Sequence, residues 1–182
     1  PINLARWQLH YGTSFKALPS ATINPGEYAV LCAANAFQAL NSFGKVIVIP
    51  GLSSSAITNS GAMLTIADTA GKVIHAVDYN DTWYMNANKI NGGYSLEQID
   101  FQNPCGGKTN WIASNSATGG TPCAANSVQA SNPDSKTPNI KAVCIEANNI
   151  LRLKFNEPQD SSSLLNAAIY IVDNSIGNPN DI

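Results

Sequence analysis

Two histidines, a scatter of carboxylates and four cysteines are the groups in this 182-residue chain that could do chemistry. His10 and His75 both fall in strand patterns. A nucleophile relay would set one of them between a serine or cysteine and an acid. No G-x-S-x-G elbow presents such a serine, so both read as histidines on a sheet surface. Asp78, Asp81 and Glu97 could pair as acid and base for sugar hydrolysis. Asp78 sits at a strand end, Asp81 in the loop after it, and Glu97 mid-strand with its side chain outward. Turn chemistry and a solvated face explain all three without catalysis. Asp173–Asn178 is rich in oxygen ligands but lacks the terminal bidentate glutamate of a calcium loop, so it reads as a turn. None of Cys32, Cys105, Cys123 and Cys144 lies in a C-x-x-C pair, the usual zinc or redox spacing. Nucleotide-binding and zincin motifs are missing too, so neither a cofactor nor a metal is expected.

Trp83, Tyr84 and Met85 are the more promising group. They sit together in a long loop, Asn80 to Asn91. Aromatic side chains on such a loop can stack on sugars or on a protein partner; the alternative is a loop folded back over the core.

The elements that must hold these residues are strands. Trp7, Leu9 and Tyr11 alternate with Gln8 and His10 and predict a half-buried strand. Tyr28–Cys32 and Val46–Ile49 predict buried strands, the first after an Asn24-Pro25-Gly26-Glu27 turn. Ala33–Leu40 could form a short helix if Phe37 and Leu40 pack down. Met63–Ala67 and Val73–Tyr79 predict a hairpin around Asp68–Gly71, with Ser53–Gly61 as loop before it. Tyr94–Ile99 is a further strand. Strand follows strand at roughly ten-residue spacing with no βαβ alternation, which favours an antiparallel sandwich or barrel.

Composition supports that class. Apolar residues make up 44% of the chain, enough for a packed core, while charged residues are only 12%. Such a profile suits an exported β-protein. The net charge is -2 and no run of Lys or Arg occurs, so no footprint for nucleic acid is visible. No apolar stretch approaches the roughly 20 residues of a membrane span, and the opening Pro1-Ile2-Asn3 carries no signal-peptide pattern, as expected of a mature exported protein.

Residues 129–139 (QASNPDSKTPN) are polar, carry two prolines and read as a linker. They divide a first unit, residues 1–128, from a second, residues 140–182. In the second, strands flank an Ala147-Asn148-Asn149 turn, Asp160–Ser163 suggests a helix start, and Ala168–Val172 suggests a strand. About 43 residues are few for an independent sandwich, so the second unit is expected to be partial.

The stretch GGYSLE…NPC…NW…S…GGTP…NS, from Gly92 to Ser127, resembles the closing part of the bacterial lamin tail domain, an immunoglobulin-like module. Leu4–Leu9, Ile23–Tyr28, Asn59–Leu64 and Gly71–Ile74 extend the likeness over residues 2–128. The resemblance implies an immunoglobulin-like antiparallel β-sandwich in which Trp111 is a large buried anchor beside Tyr94 and Leu96. It implies a non-catalytic module of an exported, cell-surface protein, used for adhesion, tethering or protein–protein contact. A carbohydrate-binding module using the Trp83–Tyr84 loop is the alternative; a hydrolase or a nucleic-acid-binding domain ranks below both. Two departures stand out. The family begins with one or two more strands before the segment around Trp7, so an uncovered sheet edge is expected, with edge-strand self-association one way to cover it. Cys123 stands where the family has glycine, a residue suited to backbone that disfavours a Cβ. Pairing with Cys105 is the expected reason for a cysteine there, worth about 3 kcal/mol in the chain-entropy model. Cys32 is expected to be a buried free thiol, and Cys144 is left open. Ile140–Val143, Leu151–Pro158 and Tyr170 resemble the opening of S-layer-type bacterial Ig-like domains.

Overall fold

The computed structural model describes residues 1–104, 106–135, 137–156 and 164–182. The chain divides into two units, Pro1–Asp134 and Ser135–Ile182. The expected linker therefore begins inside the first unit. Ala130 N–H donates to the Ile99 carbonyl at 3.0 Å, and Asn132 N–H to the Asp100 carboxylate at 2.8 Å.

The first unit is built mostly of short antiparallel strands. β1 (Ile2–Asn3) pairs with β4 (Thr22–Ile23). The alternating segment forms β2 (Gln8–Tyr11), which turns at Gly12-Thr13 into β3 (Ser14–Ala17). β7 (Gly61–Ala67) and β8 (Val73–Asn80) form the hairpin that Asp68–Gly71 predicts. Asp68 holds that turn by accepting from the N–H groups of Ala70 and Lys72 at 2.8 and 2.9 Å. Together these strands make a four-stranded sheet in the order β3-β2-β7-β8.

β5 (Ala29–Cys32) and β6 (Lys45–Val48) pair in parallel, which corrects the all-antiparallel expectation. The reason lies between them. Parallel partners need a crossover of about a dozen residues. Ala33–Gly44 supplies it, with a 3-10 turn at Ala34–Ala36 and one helical turn, α1, at Phe37–Leu40.

The core gathers where these pieces face one another. Leu9, Leu18 and Ile49 are buried together, with Tyr11, Leu31 and Ile66 packed against them. Register explains the choice. Leu9, Ile66 and His75 oppose one another across β2, β7 and β8, so they share a face, while His10 and Thr65 share the other. Ile49 is fully buried, worth roughly 1.5–3 kcal/mol by apolar burial.

β9 (Leu96–Gln98) and β10 (Trp111–Ala113) close the unit as an antiparallel pair. The glycine pairs at the two ends of the Gly92–Ser127 stretch meet here. Ser95 N–H donates to the Gly119 carbonyl at 2.8 Å, and a Cβ on Gly119 would stand 1.8 Å from the Gly93 carbonyl oxygen. Only glycine permits that approach.

Among the described residues, the second unit holds one hairpin, β11 (Ile140–Ala147) with β12 (Ile150–Phe155). Val143 opposes Leu153 and Ile145 opposes Leu151, giving an apolar face on which Ile145 is 80% exposed. The other face carries Cys144 and a two-bond Arg152–Glu146 pair at 2.9 and 2.5 Å, too exposed to add much. Ala168–Val172 is not a strand: Ala167–Ile169 forms a 3-10 turn capped by Asn166. The Asp160–Ser163 helix start lies outside the described residues.

Candidate binding surface

The groups that could have formed a catalytic centre are dispersed. His10 lies on the outward face of the four-stranded sheet, stacked on Phe15 at 5.4 Å and hydrogen-bonded to Gln8 at 2.9 Å. His75 lies on the opposite, core-facing side. Asp78 is exposed opposite Met63, and Asp81 begins the turn beyond β8. Asp173–Asn178 forms a turn closed by a Val172–Gly177 bridge.

Glu97 overturns the expectation of a solvated strand residue: it is 3% exposed. Oε2 accepts from the Ser127 N–H and hydroxyl, both at 2.7 Å. Oε1 accepts from Thr121 Oγ1 at 2.8 Å and Ser95 Oγ at 3.4 Å. Burial pushes this carboxyl upward in pKa. The hydroxyls of Ser127, Ser114 and Thr121 and the Ser127 N–H outweigh burial and hold it below the usual glutamate range. The carboxylate thus ties β9 to the Gly-Gly-Thr-Pro corner and to Ser127.

Beside it lies a second polar centre that sequence reading missed. Asn110 is fully buried, whereas its neighbour Trp111, the expected anchor, is half-buried opposite Gln98. Asn110 Nδ2 donates to the carbonyls of Asp100 and Asn103 at 2.6 and 2.7 Å. Its Oδ1 accepts from Asp100 N–H at 2.9 Å and Asn132 Nδ2 at 3.0 Å. The only sequence signal was the density of Asp and Asn between residues 100 and 132.

Cys123 has φ of 58°, the left-handed backbone that suits the glycine expected by the resemblance. Gly44 makes room for it, because a Cβ there would lie 2.9 Å from the Cys123 Cβ. The Cys123 thiol is free and donates to the Lys45 carbonyl at 3.1 Å. Cys105, its expected disulfide partner, lies outside the described residues. Cys32 is a buried free thiol, as expected, and burial raises its pKa. Cys144 is free and exposed.

The Trp83–Met85 group occupies a 3-10 turn, Asp81–Tyr84, capped by Asn80 through a 2.9 Å bond from Thr82 N–H. Tyr84 folds back: its hydroxyl donates to the Tyr94 carbonyl at 2.9 Å, and burial raises its pKa. Trp83 is half-buried. Met85 differs, being 68% exposed on left-handed backbone with φ of 50°. Lys89, further along the same loop, donates to the Ser114 carbonyl at 2.5 Å and lies over the Tyr94 ring at 5.0 Å. The loop is thus anchored at both ends and projects a methionine.

Fold and surface together define a strand-rich chain of two units, the first closed by a buried polar network and carrying an anchored apolar tip. No helix among the described residues is long and apolar enough to cross a membrane. The chain matches no family model, no curated protein and no solved structure.

Proposed function

We propose that the first unit is a lamin-tail-like, immunoglobulin-related module. It serves an exported cell-surface protein as a non-catalytic element for adhesion, tethering or protein–protein contact. The second unit is read as part of an S-layer-type Ig-like domain. The observation that carries the contact role is Met85. An exposed thioether on sparsely populated backbone, beside a tyrosine bonded to the Tyr94 carbonyl, is a preorganised apolar tip. Backbone of that kind is enriched at functional sites. The stacking alternative on Trp83 and Tyr84 has less behind it, because Tyr84 is turned inward.

The test is capture from a cell-envelope extract on immobilised intact chain, comparing wild type with Met85→Asp. A specific protein held by wild type and lost with the variant is the expected result. Identical captures by both would remove Met85 from the reading. A glycan bound by wild type and lost with Trp83→Ala would restore the stacking alternative.

A further inference from the structure

We propose that the first unit holds a separate site, a shallow cleft that takes a neutral carbohydrate. The cleft has a volume of about 450 Å³ and runs between Asp100–Gln102 on one wall and Gln129–Ser131 on the other. Phe101 stands in the first wall with 66% of its surface in water. An aromatic ring held this open offers a flat apolar face, the surface on which the C–H face of a pyranose stacks. Around it lie the side chains of Gln102, Gln129 and Ser131, which make no hydrogen bond to any described residue. Each amide sets a donor beside an acceptor, the pattern that two neighbouring sugar hydroxyls complement.

Both walls are fixed before any ligand arrives. Gln102 N–H donates to Asp100 Oδ1 at 2.9 Å, and Asn132 N–H to Asp100 Oδ2 at 2.8 Å. Ala130 N–H donates to the Ile99 carbonyl at 3.0 Å, and buried Asn110 grips the Asp100 carbonyl at 2.6 Å. A ligand therefore need not order the backbone, which lowers the entropy lost on binding.

Charge selects the ligand class. Among the described residues, Asp100 is the one ionisable group lining the cleft, and both its oxygens already accept N–H groups. No lysine or arginine lines it among the described residues, so phosphate, sulfate and uronate groups find no counter-charge. The cleft is open rather than enclosed, which suits one stretch of a longer glycan better than a small molecule buried on all sides.

The test is an NMR titration of the intact chain with three neutral probes, cellohexaose, xylohexaose and mannohexaose. At least one is expected to give saturable shifts centred on the amides of Phe101, Gln102 and Gln129. Phe101→Ala is expected to weaken that binding about tenfold, the loss of one stacked ring. Its own spectrum shows whether the unit stays folded. Met85→Asp is expected to leave the affinity unchanged, which separates this site from the contact tip. No saturable shift with any of the three up to about 10 mM, a very weak affinity, would overturn the proposal. So would saturable shifts elsewhere, or a loss under about threefold on Phe101→Ala.

Discussion

Replacing Glu97 with alanine tests the physical reading of the first unit more sharply than any other change. The carboxylate is 3% exposed and accepts three bonds of 2.7–2.8 Å with one longer contact. Hydrogen bonds to a charged group are worth about 1.5–3 kcal/mol each, but they do not sum, because Thr121 and Ser127 regain water when the corner loosens. The substitution takes the charge away with the carboxylate and leaves neutral donors without their acceptor, at about 1–3 kcal/mol for each that stays buried. Set against a domain stability of about 5–15 kcal/mol, that is a large share of the total. Urea unfolding followed by tryptophan fluorescence is the assay. Glu97→Ala is expected to lower the midpoint by the equivalent of about 2–4 kcal/mol with little change in slope. A glutamate on a solvated face would instead move stability by no more than about 0.5 kcal/mol, and that result would refute the clamp. A pH series separates charge from shape. The folded pKa lies below the unfolded one, so the stabilisation is full above the ordinary glutamate value. It is lost as pH falls from there through the folded pKa. Wild type should therefore lose its advantage over Glu97→Gln in that acid range, and a gap constant with pH would show that shape alone is at work.

Two further substitutions probe the same region. Gly119→Ala forces a Cβ to 1.8 Å from the Gly93 carbonyl on backbone with φ of 85°. It should cost more than about 3 kcal/mol or prevent folding, whereas Gly71→Ala, at φ of 79° with open space around it, should cost about 1–2 kcal/mol. Equal thermal shifts for the two would contradict the close approach. The buried Gln98 Nε2 has no hydrogen-bond partner among the described residues, so Gln98→Met should be neutral or stabilise by up to about 1–2 kcal/mol in the same urea assay.

How much of this could be read beforehand depends on where the information lies along the chain. β2 and the β7–β8 hairpin were legible because alternation and an Asp-Thr-Ala-Gly turn are local signals. The direction of β6 beside β5 was not, since two short apolar strands look the same parallel or antiparallel. Glu97 shows the deeper limit. A glutamate in a strand defaults to the surface when its neighbours alone are consulted. Its burial depends on Thr121 and Ser127, 24 and 30 residues away. Asn110 is the same case, satisfied from residue 100 on one side and residue 132 on the other. The resemblance puts the anchor at Trp111, yet the amide beside it is what the fold encloses. The Gly92–Ser127 stretch is short of large apolar residues for that reason. Its closure is made by a carboxylate and an amide with matched donors, and the glycines around them exist to let those donors arrive.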